Sequence, residues 1–144
     1  MIITNKGKKI IYISDSHKGK EHDFSILKVE FPPEKDWFKP YVVRVDLGFQ
    51  GIGDIYNCKK IIIPIKKKRK AKGVSNELSP QDKDYNKACG KDRIYVEHSI
   101  GGLKRYRISV NRNRIKSEQL FNQVIGVCAG LWNFAISKPQ SKSN

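Results

Sequence analysis

The side chains that build metal sites and disulfide frameworks are scarce in this sequence. Three cysteines occur far apart along the 144 residues: Cys58, Cys89 and Cys128. Their spacing fits neither paired disulfides nor a zinc ribbon or finger, and it is typical of a reducing compartment. The three histidines are equally scattered, at His17, His22 and His98. This scatter excludes a zinc site built from sequence-local ligands.

Long hydrophobic runs are also missing. No segment approaches the roughly 18 consecutive apolar residues that a membrane span requires. The N-terminal residues mix lysines into a short apolar run and offer no small-residue cleavage site, so we expect that they are not a secretory signal. With 38% hydrophobic and 30% charged residues, the chain is predicted to be one cytoplasmic domain with a single core and no membrane contact.

Acidic residues are absent from two segments that hold most of the positive charge. The 29 Lys and Arg residues outnumber 14 Asp and Glu, for a net charge of +15, and residues 59–72 and 98–116 contain no acid. Two such basic segments are typical of a polyanion-binding surface, most often for nucleic acid. The alternative is that the lysine-rich surface only keeps the protein in solution. Composition alone does not decide between these two interpretations. The candidate contacts are Lys66, Lys67, Lys68, Arg69, Lys70, Lys104, Arg105, Arg107, Arg112 and Arg114.

Patterning of β-branched and apolar residues predicts the first elements. Residues 2–4 and 9–14 are β-rich runs joined by an Asn- and Gly-containing turn at 5–8, which predicts a hairpin. A short helix follows, with Asp23 well placed to cap its N-terminus and Pro32 ending it.

A candidate site residue follows the next strand. Residues 41–45 form a compact β-rich run that delivers Asp46 at its carboxyl end, and Gly48, Gly51 and Gly53 come next. Ligands of open α/β sheets bind beyond the carboxyl ends of the strands, which makes Asp46 a candidate. The alternative is that Asp46 satisfies the backbone of the turn, as aspartates often do. The residues alone favour neither interpretation.

Proline and serine mark the bounds of the later elements. Residues 61–65 predict a strand that Pro64 restricts to an edge or a strand end. Ser79 and Pro80 are typical of a helix start, and this helix is expected to end near Ala88.

A long helix capped by Ser117 is apolar on most faces, which predicts that it packs against the domain. We expect one domain over residues 1–137 and a disordered tail over 138–144. Trp37 and Trp132 are interpreted as packing residues rather than base-stacking platforms.

Residues 93–106 have helical spacing and carry a second candidate acid. One apolar stripe contains Val96, Ile100 and Leu103. Glu97 lies off that stripe, on one face with Arg93 and Lys104. Glu97 is either an ordinary ion-pair partner, the commoner arrangement, or a metal-binding carboxylate beside a phosphate-binding surface.

Two blocks of sequence resemble a known family. VDLGFQG at residues 45–51 resembles the second-aspartate signature, D-x-G-[YF]-x-G, of the DDE transposases of bacterial insertion sequences and related PIF/Harbinger elements. LSPQDKDYNKACGKDRIYVEHSIGGLKRYRI at residues 78–108 is similar to the third-acid block of that family. The resemblance covers residues 2–137. It implies an α/β fold of ribonuclease-H-like type, with a mixed sheet flanked by helices.

The resemblance also implies a chemistry. It assigns Asp46 as the second metal-binding aspartate and Glu97 as the third acid. In the intact family protein these acids belong to a two-metal site for Mg²⁺ or Mn²⁺, which are hard cations that prefer oxygen ligands. The implied activity is DNA strand cleavage and strand transfer during transposition, with the basic segments on the phosphates of transposon ends and target DNA. A nucleoid-associated location in a bacterium and a homo-oligomer are further expectations.

One departure from the family pattern concerns the first aspartate. In these transposases it lies on the strand before the early hairpin, and neither Asp15 nor Asp23 occupies that position in this chain. The resemblance therefore predicts an incomplete fold that lacks its first strand: a truncated transposase, weak or inactive alone, that depends on an upstream half. The alternatives are a non-catalytic basic DNA-binding remnant and a basic structural protein of ribosomal type that prefers structured RNA.

Overall fold

Two compact units make up the chain. The computed structural model describes residues 1–17, 19–67, 77–108 and 114–138. The terminal unit contains Met1–Lys18 and Ile94–Asn144, and the middle unit contains Gly19–Arg93. Helices and short strands occur together, which confirms the predicted α/β class. The domain bounds 1–137 stay a prediction, and residues 139–144 of the predicted tail lie outside the described part.

The terminal unit begins with the predicted hairpin. Strand β1, Ile2–Thr4, pairs antiparallel with β2, Ile10–Ile13, because β-branched residues on both sides favour a pleated pair. Within the turn, the Asn5 side chain accepts a hydrogen bond from the Lys9 backbone at 3.0 Å. Lys8 adopts a left-handed backbone conformation with φ of 62°, which L side chains rarely do.

The core of the terminal unit forms where the hairpin meets two helices. Its buried residues are Ile10, Leu103, Cys128, Ala129 and Trp132. The Lys8 carbonyl accepts hydrogen bonds from Ser99 Oγ at 2.8 Å and from Trp132 Nε1 at 2.9 Å. Asn133 accepts from the Ile10 backbone N–H at 2.8 Å and donates to the Ile10 carbonyl at 2.7 Å. Side chains of the last helix therefore complete the hydrogen bonding of β2.

The long C-terminal helix packs on one side only against the part of the chain that the structure describes. Helix α4, Glu118–Ser137, is capped by Ser117, as predicted, with the Leu120 N–H donating to Ser117 Oγ at 3.2 Å. The prediction that its apolar faces pack against the domain is wrong for the side that carries Leu120, Val127, Leu131 and Phe134, which are exposed. An apolar side chain in a helix faces the core only if its angular position matches the core's direction.

Helix α4 departs from the expectation that no segment is long and apolar enough to span a membrane. By length and composition alone this helix could cross a membrane, since an 18-residue window has a mean hydropathy of 1.3. Gln119, Asn122 and Gln123 interrupt the run at its start. This length and composition are only weak evidence that α4 crosses a membrane, because core helices of soluble proteins meet the same criteria.

The middle unit contains a parallel strand pair between short helices. Its elements are α1 Asp23–Glu30, β3 Val42–Arg44, a 3₁₀ turn Leu47–Phe49, α2 Ile52–Ile55, β4 Lys60–Ile62 and the first part of α3, Pro80–Lys104. Val43 lies opposite Ile61 in the parallel pair. Pro64 follows the end of β4, as the strand-end prediction required. The described strands form two separate pairs, so the single mixed sheet of a ribonuclease-H-like fold stays a prediction.

The core of the middle unit contains buried aliphatic side chains and one buried tyrosine. Ile26, Leu27, Ile52 and Tyr56 are buried, and Tyr56 Oη donates to the Phe31 carbonyl at 2.7 Å. Burial raises the pKa of the Tyr56 phenol, and the charge of Glu34 adds to this shift. The shift extends the pH range over which the phenol stays protonated and donates this hydrogen bond.

Two helix predictions need correction. Asp23 is the first residue of α1 rather than its cap, and His22 precedes it without a side-chain cap bond. The helix predicted to end near Ala88 and the one predicted over 93–106 form one continuous helix, α3. Gly90 does not interrupt it, because a single glycine costs a helix only about 1 kcal/mol and the flanking residues favour helix.

The predicted cap at Ser79 is confirmed, since the Asp82 N–H donates to Ser79 Oγ at 3.1 Å. We expect Ser79→Ala to lower the free energy of unfolding by about 1 kcal/mol, because one N-terminal N–H of α3 loses its partner. Urea unfolding followed by far-UV circular dichroism measures this change. Ser25→Ala, at an exposed position inside α1, is the matched control and should change stability by less than about 0.5 kcal/mol. Equal losses in both variants would contradict the cap.

Candidate functional site

Asp46 lies in the middle unit two residues after the end of β3, near the carboxyl end of the strand as the sequence predicted. It is exposed and caps the 3₁₀ turn, with Oδ1 accepting from the Gly48 N–H at 2.8 Å. A Cβ at Gly48 would lie 3.0 Å from that oxygen, and Gly51 has a φ of 82°. The left-handed backbone of Gly51, which precedes α2, favours glycine, whereas a Cβ at Gly48 would require only a small shift of the Asp46 carboxylate. The structure supports the turn-capping interpretation of Asp46, and a carboxylate has further acceptor positions for a ligand.

Side chains of α3 contact the end of β3 and the segment that follows β4. Two residues before Asp46, Arg44 Nε lies 2.6 Å from Asp92 Oδ2. Asn86 accepts from the Ile65 N–H at 2.7 Å and donates to the Ile65 carbonyl at 3.0 Å. Asn86 thus anchors the chain directly before Lys66, where the cluster of cations in the first basic segment starts.

Glu97 is exposed on the part of α3 that belongs to the terminal unit. The neighbouring Ser99 is fully buried, and its hydroxyl bridges the Lys8 carbonyl and the Tyr95 carbonyl, at 2.8 and 3.0 Å. Leu103 is buried on the same side, which confirms the predicted apolar stripe. Because these contacts fix the rotation of the helix, they also determine that Glu97 and His98 face outward.

The candidate DNA contacts are exposed wherever the structure describes them. Lys66 and Lys67 are exposed in the middle unit, and Lys104, Arg105, Arg107 and Arg114 are exposed in the terminal unit. Lys68, Arg69, Lys70 and Arg112 lie outside the described residues. Arg105 was expected on the helix that carries the acid, but it lies just beyond the end of α3. Its guanidinium is 5.7 Å from the Trp132 ring centroid, close enough for a cation–π interaction that orients the charge.

The candidate ligands have the right chemistry for a divalent metal, but too few of them are grouped together among the described residues. Asp46 and Glu97 supply carboxylate oxygens, which suit Mg²⁺ or Mn²⁺. The two acids belong to different units. Among the described residues, no three His, Cys, Asp or Glu side chains are grouped so that they could hold a metal ion.

Sequence reasoning missed the residues that position Glu97. Ser99 and Gly102 look unremarkable in the sequence, yet Ser99 is fully buried and a Cβ at Gly102 would lie 2.2 Å from Trp132 Cε3. No local pattern marks such positions, because their partners are distant in the chain. The adjacent glycines at 101 and 102 were the only available signal.

An open groove in the terminal unit contains none of the predicted site residues. Its volume is about 610 Å³, and its lining residues are Asp15, Glu118, Gln119, Asn122 and Gln123. Ser16 donates hydrogen bonds to two of these lining residues, from its backbone N–H to Asn122 Oδ1 at 3.0 Å and from its hydroxyl to Glu118 Oε1 at 3.2 Å. The two carboxylates that line the groove would repel a DNA phosphate.

Two comparisons with known proteins match nearly the whole chain. A family model described as DDE superfamily endonuclease matches residues 1–133. A protein of Microchaete diplosiphon, described as a probable transposase for insertion sequence element IS702, is 30% identical over 137 residues. This match covers 95% of the chain and 45% of the relative, so the chain spans about half of that protein's length. No solved structure matches the chain.

Proposed function

We propose that this chain, which belongs to the DDE superfamily of endonucleases, carries part of the catalytic site for metal-dependent DNA cleavage and strand transfer in transposition. The observation that carries the proposal is the match over residues 1–133, which includes both candidate acids. The structure exposes Asp46 and Glu97.

In this proposal Asp46 and Glu97 hold the metal. When bound, a divalent cation supplies activation of the attacking oxygen and stabilisation of the leaving oxygen in phosphoryl transfer. The chain's own part is to present carboxylates from rigid supports: the capped turn after β3 for Asp46, and the Ser99-anchored helix for Glu97. Because the described residues provide no group of three acids, we propose that polypeptide outside these 144 residues completes the site, as the expected upstream half would.

DNA is the proposed partner, and its phosphates are the proposed ligands of the exposed cations. Lys104 is the last residue of α3, and Arg105 and Arg107 lie just beyond it, a few residues after Glu97. Each cation that neutralises a phosphate releases counterions, so binding should weaken steeply as salt rises. A location at the bacterial nucleoid is part of the proposal.

Nicking of supercoiled plasmid by the 144-residue chain tests the acids. We expect weak nicking in Mn²⁺ that is abolished by chelation and reduced at least about tenfold in Asp46→Asn and in Glu97→Gln, because each change removes a charged oxygen ligand. Asp54→Asn and Glu34→Gln remove exposed carboxylates elsewhere in the middle unit and should leave nicking unchanged. Equal nicking in all variants would contradict the assignment of the two acids.

A non-catalytic DNA-binding protein is the second candidate. It is favoured by the hydrogen bond that already engages Asp46 Oδ1 in the turn. This function predicts salt-sensitive, sequence-independent DNA binding that is equal in the wild type, Asp46→Asn and Glu97→Gln, without nicking in Mn²⁺ or Mg²⁺. Binding that weakens when either acid is replaced would exclude it, because loss of a negative charge by itself strengthens contact with phosphates.

A further inference from the structure

Tyr85 presents an aromatic side chain at the surface of the middle unit. It lies in the first part of α3 and is 40% exposed. Its hydroxyl forms hydrogen bonds with the Cys89 thiol and with the backbone of Ile63, the residue that follows β4. Partial burial of the phenol and the bond to Cys89 raise the pKa of Tyr85, so the ring carries no negative charge near neutral pH. These two bonds hold one end of the ring, while part of the side chain remains in contact with solvent.

The next residue of α3 fixes the backbone that runs beside Tyr85. Asn86 accepts from the Ile65 N–H at 2.7 Å and donates to the Ile65 carbonyl at 3.0 Å. Lys66 follows directly, and adjacent Cα atoms lie about 3.8 Å apart, so this clamp also restricts where Lys66 can lie. Ile65 is itself 40% exposed. An aromatic and an aliphatic side chain therefore reach the surface where α3 meets this segment.

The two lysines that follow have no acidic partner to neutralise them in the described part of the chain. Lys66 and Lys67 are exposed. Other cations of the same unit are engaged, since Lys39, Arg44 and Lys83 each have a carboxylate oxygen within 3.3 Å. A lysine without a nearby carboxylate keeps its full charge for an anion such as a phosphate. The segment after Ile65 therefore offers two cations beside an exposed ring.

An aromatic ring next to cations indicates which form of nucleic acid binds. A base can stack on a side chain only when its face is uncovered, and in a duplex the neighbouring base pairs cover both faces. Phosphates attract lysine in either form. Lysines alone would therefore bind duplex and single strand by the same contacts, whereas an added aromatic ring favours unpaired nucleotides.

We propose that Tyr85, Lys66 and Lys67 form a binding site for single-stranded DNA, in which an unpaired base stacks on the Tyr85 ring and the flanking phosphates contact the lysines. Asn86 is a positioning residue, because it holds the segment that carries the lysines against the helix that carries the ring. The proposal rests on the proposed function for the identity of the polymer, and it involves neither candidate acid. In a reaction that cleaves DNA, such a site would hold the end of a separated strand.

Fluorescence anisotropy with an oligo(dT) strand of about 12 nucleotides, single or paired with oligo(dA), tests the stacking in the presence of a chelator. We expect Tyr85→Leu to weaken binding of the single strand at least about fivefold and binding of the duplex less than about twofold, because only the unpaired bases lose a stacking partner. Tyr85→Phe keeps the ring and should bind as the wild type does. Tyr41→Leu is the matched control: Tyr41 is 62% exposed in the same unit, and its replacement should leave both affinities unchanged.

The salt dependence of single-strand binding tests the two lysines. Lys66→Gln and Lys67→Gln should each reduce the slope of log K against log salt concentration by about 0.7, because each lysine displaces counterions from one phosphate. Tyr85→Leu should lower the affinity without changing the slope, since stacking releases no counterions. Lys39→Gln is the control, because Lys39 already pairs with Asp36 at 3.0 Å, and the slope should stay as in the wild type.

Asn86→Leu tests the positioning role. We expect it to weaken binding of the single strand about threefold or more, because the lysines lose their fixed position beside the ring. Asn133→Leu breaks the equivalent pair of bonds to the Ile10 backbone in the terminal unit. It should lower the melting temperature further than Asn86→Leu and leave the affinity of the folded chain unchanged. A general loss of stability would produce the opposite order of affinities.

Three outcomes would overturn the proposal. Single-strand binding that Tyr85→Leu leaves unchanged would mean that no base stacks on the ring. Equal losses for single strand and duplex in Tyr85→Leu would give the ring a purely structural role. Tighter binding of oligo(U) than of oligo(dT), lost in Tyr85→Leu, would assign the site to RNA. All of these measurements are made without metal or nicking, so failure of this site is distinguishable from failure of the two candidate acids.

Discussion

Gly102→Ala is expected to lower the free energy of unfolding by about 3 kcal/mol, because the added methyl group has no space between α3 and α4. A Cβ at this position would lie 2.2, 2.4 and 2.5 Å from Trp132 Cε3, Cδ2 and Cζ3. The indole cannot easily move aside, since Trp132 Nε1 donates to the Lys8 carbonyl at 2.9 Å and the ring is buried. Either the helices separate or that hydrogen bond is lost.

The neighbouring glycine is the matched control for this prediction. A Cβ at Gly101 meets nothing within 4 Å among the described residues, so Gly101→Ala should stabilise the chain by about 0.5–1 kcal/mol through helix propensity alone. Urea unfolding of both variants by circular dichroism measures the two changes. Similar values for the two glycines would mean that α3 and α4 do not approach as closely as the structure has them.

Asn133→Leu is expected to cost about 3 kcal/mol, because one side chain satisfies both backbone groups of Ile10. Asn133 accepts from the Ile10 N–H and donates to its carbonyl, and Ile10 is buried in the core. Leucine has a similar size and removes both bonds. Each buried polar group left without a partner costs about 1–3 kcal/mol.

Gln123→Leu controls for the change from amide to leucine on the same helix, since Gln123 is exposed. Its effect on the free energy of unfolding should stay within about 0.5 kcal/mol. Hydrogen exchange of the Ile10 amide adds a local measurement, and we expect faster exchange in Asn133→Leu. An Ile10 amide that remains protected in that variant would show that another group replaces the asparagine.

These contacts connect stability to the proposed site. Ser99, Gly102 and Trp132 hold one side of α3 against the hairpin, and Glu97 faces outward on the same helix. A variant that tilts or rotates α3 therefore moves the carboxylate as well. We expect Gly102→Ala to impair any activity that needs Glu97, even under conditions where the chain stays folded.

The sequence by itself determined the elements whose interactions are local. The hairpin, the caps at Ser79 and Ser117, and the glycine turn after Asp46 depend on side chains that contact backbone two to four residues away. Local composition also revealed the two basic segments, and the motif blocks indicated the family. Such features are readable because every partner is present within a few positions of the chain.

The tertiary structure alone decided the rest, because the partners are distant in sequence. Continuity of α3 through Gly90, the close approach at Gly102 and the bond from Asn133 to Ile10 could not be read from spacing. The apolar pattern of α4 predicted burial, but its angular position relative to the core determined which residues stay exposed. A periodic pattern shows that a helix has an apolar face, whereas only the packed neighbours determine how much of that face is covered.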